Sequence, residues 1–206
     1  MVCAAHAQPA PIFNWSGYYV GGTIGYGDGS YFHRNDLNGV GTRDFKMNGF
    51  LGGLTAGHNW QARGSAFVFG LETDVSLSGV KGSDDDQAFG CSDLCTASVK
   101  WFGTVRPRAG LALGSALFFV TGGWAFGNVE ATSGDQNSVP EGSSKLQSGW
   151  TAGAGIELAL SPRWSAKVEY LHFDLGSFVY KFNGPSPISI RDIEFDVVRV
   201  GANYRF

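Results

Sequence analysis

The chain has 206 residues, of which 31 are glycine, 14% are aromatic and only 16% are charged. Soluble domains average about 25% charged residues, so this composition is atypical of them. The formal net charge of −3 argues against a nucleic-acid-binding protein, which normally carries a basic patch. The apolar stretches, such as residues 116–120, fall far short of the roughly 20 residues that a transmembrane helix needs.

The N-terminal segment contains Ala5-His6-Ala7, the small-x-small pattern that precedes a signal-peptide cleavage site. We interpret residues 1–7 as the end of an export signal and Gln8 as the first residue of the mature chain. The alternative is an accidental Ala-x-Ala motif in an unstructured N-terminus.

From Tyr18 onward, eight segments alternate apolar residues with small or polar ones, which is the period-two pattern of β-strands. The apolar faces of the first four are Tyr18, Val20, Ile24 and Tyr26; Phe50, Leu54, Ala56 and Trp60; Phe67, Phe69, Leu71, Val75 and Leu77; and Val99, Trp101, Val105 and Ala109. The last four are Phe118, Val120, Trp124 and Phe126; Trp150, Ala152, Ala154, Ile156 and Leu158; Trp164, Ala166, Val168 and Tyr170; and Val198, Val200, Ala202, Tyr204 and Phe206.

Two further patterns separate a membrane barrel from a soluble β-sandwich, which alternation alone would also suit. Short connections (61–65, 111–115, 161–163) alternate with long ones (28–48, 78–97, 130–146, 177–193), as periplasmic turns alternate with extracellular loops. Aromatic residues gather at both ends of the strands, as in the girdles at membrane–water boundaries. They are Trp60, Phe67, Phe118, Trp164, Tyr204 and Phe206 beside the short connections, and Tyr26, Phe50, Trp101, Trp124, Trp150 and Tyr170 beside the long ones.

These patterns predict an all-β fold, an eight-stranded antiparallel up-and-down transmembrane β-barrel with short periplasmic turns and four long extracellular loops. We place the barrel domain at residues 16–206, after an N-terminal periplasmic leader at residues 8–15. The predicted location is the outer membrane of a bacterial cell.

The opposite faces of the strands place ten charged residues in the lumen: Glu72, Asp74, Lys100, Arg106, Arg108, Glu157, Lys167, Glu169, Arg199 and Arg205. Charges in a confined interior must pair, so we expect a network of salt bridges that fills the lumen. Eight strands leave an interior just wide enough for side chains, which disfavours a wide pore. A narrow conductance stays open as an alternative, because salt bridges can exchange partners.

Catalytic and metal-binding residues are not evident in the pattern. His172 and Asp174 lie near a strand end, but no serine stands at a spacing that would complete a nucleophilic site. Cys91 and Cys95 lie in a predicted extracellular loop, where an oxidising compartment favours a disulfide. A metal site would require further His or Cys ligands nearby, so we predict no metal. We also predict no cofactor and, because no nucleophilic site is completed, no enzymatic activity.

Several segments resemble alpha-proteobacterial outer-membrane barrel proteins of the porin, opacity and OmpA-like type. They are NWSGYYVGG (14–22), WFGTVRPR (101–108), TGGWAFG (121–127), WSAKVEYL (164–171) and VRVGANYRF (198–206). Pro107 departs from the pattern and predicts a disruption of the fourth strand near its periplasmic end.

The resemblance implies a structural protein that contributes to envelope integrity, contacts outer-membrane lipid and lipopolysaccharide, and meets host or other extracellular ligands through its loops. The alternative function is a narrow porin-type channel for small solutes. The final strand resembles the C-terminal signal read by the barrel-assembly machinery, with Tyr204 and Phe206 as its aromatic residues.

Overall fold

The computed structural model describes residues 13–35, 45–84, 95–133, 141–176, 178–180 and 188–206. The strands are β1 (Gly17–Asn35), β2 (Phe45–Gln61), β3 (Phe67–Asp84), β4 (Cys95–Leu113), β5 (Ala116–Ser133), β6 (Glu141–Ala159), β7 (Trp164–Asp174), β8 (Phe178–Tyr180) and β9 (Ile188–Arg205). The described residues contain no helix long and apolar enough to cross a membrane. Alternating side chains and frequent β-branched and aromatic residues favour these strands.

Eight of the nine strands form a closed, antiparallel barrel. Each strand from β1 to β7 pairs with the next, β7 pairs with β9, and β9 closes on β1. The closing pairs run from Tyr19–Arg205 to Asn35–Ile188. The short strand β8 is an addition, because it pairs only with the first residues of β9. The prediction of an eight-stranded antiparallel barrel is therefore confirmed.

The two ends of the barrel differ in their connections. At one end, here called the turn end, residues 62–66, 114–115 and 160–163 join successive strands tightly. Gly64 and Gly114 have φ values of +76° and +62°, a left-handed conformation that a tight turn often requires. The opposite, loop end leads into residues 36–44, 85–94, 134–140 and 181–187, which lie outside the described residues, so the predicted number of loops stays a prediction.

The strands are longer than the sequence pattern predicted. Seven of the eight barrel strands have 17–19 residues, whereas roughly 9–11 residues are enough to cross a membrane. The additional residues lie at the loop end, in segments such as 28–48 and 78–97 that the sequence assigned to loops. The barrel therefore continues well past the girdle of aromatic residues at the loop end.

The predicted outward faces are confirmed by exposure of their side chains, except at Val99, which is buried in the lumen because the register shift between Val99 and Trp101 reverses the alternation of β4. Ten of the twelve girdle aromatics are exposed on the barrel wall, and Trp101 and Tyr204 are half-exposed. Because lipid covers this wall in a membrane, exposure of large apolar side chains is expected here.

Two of the three register shifts in the described strands lie on β3 and β4, and the third lies on β1 between Ser30 and Phe32. Register shifts occur between Leu77 and Val80 and between Val99 and Trp101, close to each other on adjacent strands. At Pro107 the strand continues, contrary to the predicted disruption. Proline lacks a backbone N–H, and around Pro107 the pairing with β5 is interrupted between Val105 and Arg108.

Candidate functional site

Eight of the ten predicted lumen charges form one buried network in the middle of the barrel. The side chains are at most 2% exposed, and they come from β3, β4, β6, β7 and β9. The group, here called the charge network, consists of Glu72, Asp74, Glu157, Glu169, Arg106, Arg108, Lys167 and Arg199. Four carboxylates balance four cations, as burial of charge requires.

Glu72 on β3 has the largest number of cationic partners. One oxygen, Oε1, lies 2.8 Å from Arg106 Nη2 and 2.8 Å from Lys167 Nζ. The other oxygen accepts hydrogen bonds from Tyr19 Oη at 2.8 Å and from Arg108 Nη1 at 3.4 Å. Glu72 thus ties β3 to β1, β4 and β7 across the lumen.

Asp74 and Glu169 form the next level toward the loop end. Arg106 contacts both, with Nη2 3.0 Å from Asp74 and Nη1 3.0 Å from Glu169. Arg199 also contacts both, with Nη1 3.0 Å from Asp74 and Nε 2.7 Å from Glu169. Thr104 donates a further hydrogen bond to Asp74. Each carboxylate therefore has two guanidinium partners fixed by the strand register.

Glu157 on β6 forms the level nearest the turn end. It accepts hydrogen bonds from Arg108 Nη2 at 2.8 Å, Ser165 Oγ at 2.6 Å and Asn203 Nδ2 at 2.9 Å. The guanidinium of Arg108 lies over the ring of Phe119, 4.1 Å from its centroid. A cation over an aromatic face is stabilised by the ring quadrupole, so Arg108 is held in place from two sides.

The remaining two predicted residues lie elsewhere. Lys100 is on the outer wall, where 53% of its side chain is exposed and Nζ lies 3.3 Å from Glu130 Oε2. The prediction for Lys100 is wrong, because the register shift between Val99 and Trp101 reverses the alternation of β4 at this point. Arg205 is inside but apart from the network, at the turn end.

Residues 13–16 close the turn end of the barrel, a feature that the sequence did not indicate. Trp15 is fully buried and packs with Val68, Ala112 and Leu117 inside the barrel. Phe13 packs against this cluster, with its ring centroid 5.0 Å from that of Trp15. Residues 13–16 are here called the N-terminal strap.

Hydrogen bonds hold the N-terminal strap to three parts of the barrel. The backbone N–H of Phe13 donates to the carbonyl of Gly114, and that of Trp15 donates to Gln61 Oε1 at 2.7 Å. Arg205 Nη2 donates to the carbonyl of Asn14 at 3.0 Å, and its guanidinium lies over the rings of Phe13 and Trp15. Arg205, which the sequence predicted to be part of the charge network, thus holds the N-terminal strap instead.

An apolar layer fills the lumen above the charge network, toward the loop end. It consists of Met47, Leu51, Val80, Val99, Phe102, Ala125, Val129, Leu171, Phe173, Leu175, Ile193, Phe195 and Val197. Phe173 and Phe195 stack with centroids 4.6 Å apart, and Phe102 packs edge-on against both. The inward positions of β7 and β9 change here from charged to apolar, and this change is visible in the alternation of the sequence.

The polarity of the wall reverses at the same level. Most outward positions above the loop-end girdle are polar, including Asp28, Lys46, Asn48 and Lys81, and Leu146 is an exposed apolar exception. The barrel is therefore apolar outside and charged inside across the membrane, and polar outside with an apolar core beyond it. Such a core is typical of a β-barrel surrounded by water.

His172 has an acidic partner, but not the one that the sequence suggested. Its Nδ1 lies 2.9 Å from Asp196 Oδ1 on β9, whereas Asp174 accepts a hydrogen bond from Trp150 Nε1. Within the described residues no group of three or more His, Cys, Asp or Glu side chains is arranged to hold a metal ion. Cys91 lies outside the described residues, so the disulfide stays a prediction.

Comparisons with known proteins agree with this architecture. The model of the outer membrane protein beta-barrel domain family matches residues 1–206. The chain belongs to this family. It is 37% identical to the 31 kDa outer-membrane immunogenic protein of Brucella melitensis biotype 1 over 214 residues, which cover 98% of the chain and 88% of that protein. It is 28% identical to a 22 kDa outer membrane protein of Rhizobium leguminosarum bv. viciae, over 98% and 83% of the two chains.

Solved structures share the fold at low sequence identity. OprG from Pseudomonas aeruginosa has a TM-score of 0.59 and 12% identity, over 94% of this chain and 97% of that one. Neisserial surface protein A has a TM-score of 0.54 and 12% identity, over 93% and 98%. The protein is therefore an outer-membrane β-barrel protein, and its predicted family and location are confirmed.

Proposed function

We propose that this protein is a structural barrel of the outer membrane with a closed lumen, which contributes to envelope integrity and surface interactions. The observation that carries the proposal is the filling of the lumen at three levels: apolar layer, charge network and N-terminal strap. Each level is packed or hydrogen-bonded across the barrel. Because the lumen is filled continuously, solutes have no path through it. The side chains inside also connect opposite strands of the wall and stabilise it.

Lipid, lipopolysaccharide and extracellular ligands are the proposed partners. The outward apolar face and both aromatic girdles suit the hydrocarbon core and its two boundaries. The name of the Brucella relative describes an immunogenic protein, which fits a protein whose loops are presented at the cell surface. Host or other extracellular ligands would then meet the segments beyond the loop end.

A structural role is favoured over catalysis by the environment of His172. In the described part of the chain, its side-chain hydrogen-bond partner is the carboxylate of Asp196, which also accepts a hydrogen bond from Tyr170 Oη. A nucleophilic site requires a nucleophile within hydrogen-bond reach of the base. The His172–Asp196 pair therefore supports no covalent mechanism.

Two measurements test the proposed function. Proteoliposomes that contain the refolded chain should not swell in isotonic arabinose or other small sugars, because the lumen is closed. A strain that lacks the gene should become more sensitive to detergent and to large antibiotics, and the wild-type gene should restore resistance. Rapid swelling with unchanged sensitivity would contradict the proposal and support the narrow-channel alternative.

A further inference from the structure

Charged side chains on the outer wall are distributed unequally around the loop end. Lys46 on β2, Lys81 on β3 and Lys100 on β4 are exposed and point outward just above the girdle. These three residues are here called the lysine arc. Among the described residues, the wall formed by β7, β9 and β1 carries the carboxylates Asp174, Glu194, Asp196 and Asp28, of which Asp28 is a diagonal neighbour of Lys46. A further exposed cation, Lys145, lies on β6.

The register spaces the lysine arc regularly across three strands. Lys81 pairs with Asn48 on one side and Ser98 on the other. Lys46 and Lys100 are each two residues from those partners, in opposite directions, so both are diagonal neighbours of Lys81. Diagonal neighbours on one face of a sheet are about 7–8 Å apart. The three ammonium groups therefore follow a slanting line along the wall.

The bulge on β4 is an independent indication that an outward lysine is required here. Regular alternation would place Lys100 in the lumen, beside an apolar layer that offers it no carboxylate. The register shift between Val99 and Trp101 turns Lys100 outward and keeps Val99 inside. Bulges commonly re-aim one side chain at a functional position.

The arc is available to an anionic ligand. Lys46 and Lys81 form no ion pair with any residue that the structure describes, and Lys100 pairs only with Glu130, across an exposed 3.3 Å contact. Exposed pairs of this kind contribute little and exchange easily. Below the arc lie the last apolar residues of the wall on these strands: Phe50 and Leu77, each four residues from Lys46 and Lys81, and Trp101, which directly follows Lys100.

From this juxtaposition we propose that the lysine arc docks the phosphates of a bisphosphorylated glycolipid, the lipid A part of lipopolysaccharide. Its phosphates would contact the ammonium groups, and its acyl chains would pack on the apolar wall below. The headgroup phosphates of an outer leaflet lie at this level. The lysine arc therefore has both the charge and the position that contact with these phosphates requires. The proposal rests on the proposed function, because it assumes a barrel seated in the outer membrane.

The test measures equilibrium binding of fluorescent lipid A to the refolded full chain in neutral detergent micelles. The triple variant Lys46→Gln, Lys81→Gln and Lys100→Gln should bind about 100-fold more weakly, since one lysine near an anionic surface contributes roughly a fivefold effect. The control Arg63→Gln and Arg163→Gln removes two exposed positive charges at the turn end and should bind within about twofold of wild type. Replacement of the three lysines by arginine should retain binding.

Ligand variants separate lipid A from other phosphate sources. Lipid A without its phosphates and phosphatidylglycerol should both bind wild type much more weakly than lipid A. Equal binding of phosphatidylglycerol, equal binding of dephosphorylated lipid A, or unchanged affinity of the glutamine variant would each overturn the proposal. Heat-modifiable migration verifies that every variant has folded. If a triple variant does not fold, the single variant Lys100→Gln is measured in its place.

The same preparations distinguish failure of this inference from failure of the proposed function. Loss of selective lipid A binding with no solute uptake would overturn only the docking site. Retained lipid A binding with rapid solute uptake would overturn only the closed structural barrel.

Discussion

Glu72 contacts more cations than any other carboxylate of the charge network. Replacement by glutamine would leave four buried cations facing three carboxylates. We expect Glu72→Gln to lower the free energy of unfolding by about 3–5 kcal/mol, the usual effect of removing one partner from a buried pair. Urea unfolding in lipid vesicles measures it.

Glu130→Gln is the matched control for Glu72→Gln. The same chemical change there affects one exposed pair with Lys100 and should cost at most about 1 kcal/mol. If the two variants were equally stable, the charge network would not be the stabilising feature that its geometry indicates.

Trp15 is the residue that fills the turn end. Trp15→Ala should lower the free energy of unfolding by roughly 3–5 kcal/mol, because it leaves a cavity beside Val68, Ala112 and Leu117. Trp15→Phe retains most of the packing and should cost clearly less. Denaturant titrations of both variants provide the comparison; a Trp15→Ala variant as stable as wild type would show that the N-terminal strap does not close the barrel.

Individual lumen residues could be predicted where alternation is regular. Glu72, Arg106 and Arg199 lie where the period-two pattern places them, because a one-residue shift would reverse every side chain of the strand. Lys100 could not be placed, since a bulge adds a residue without changing the composition of the segment. Trp15 precedes the first strand, where no periodicity constrains its direction.

Close contacts between inward positions explain part of the glycine content at the scale of a strand. A β-carbon at Gly25 would lie 2.6 Å from the Val198 carbonyl oxygen and 2.7 Å from Arg199 Cβ. On the outward face, one at Gly52 would be 3.6 Å or more from its neighbours. Gly25→Ala should therefore destabilise the barrel by about 1–3 kcal/mol, as overpacking does, and Gly52→Ala should change stability little. Thermal unfolding that ranks them in the opposite order would contradict the assigned faces.

The closing strand β9 carries the predicted assembly signal. Phe206 is exposed, its backbone N–H donates to Tyr18, and its ring lies 5.4 Å from that of Tyr204. Deletion of Phe206 should reduce the heat-modifiable, membrane-inserted fraction in cells, while Phe206→Tyr should insert normally. Wild-type insertion of the deletion variant would remove the support for an assembly role.

The length of the strands was underestimated for a physical reason. Beyond the girdle, the alternation of β7 and β9 persists but its polarity reverses, with Phe173 and Phe195 inside and His172 and Asp196 outside. A search for outward apolar residues therefore stops at the membrane boundary. The strands, which depend on pairing and not on polarity, continue.

At the scale of the whole molecule, the barrel is one wall around three different fillings. The charge network lies at the level of the membrane, where the exterior of the wall is apolar. The apolar layer lies beyond the membrane, where the exterior is polar. Closure and strand number followed from the sequence, because edges cannot be left unpaired in lipid. The ligands of the loop end could not be predicted from the sequence, because ligand binding by loops follows no transferable spacing of residues.

Planar-bilayer recording of the refolded chain shows whether the lumen is closed. We predict insertion without steady conductance in wild type and in the Glu130→Gln control, because packed side chains block the lumen at three levels. A steady, large conductance in wild-type protein that migrates as a folded barrel would show that the lumen is open.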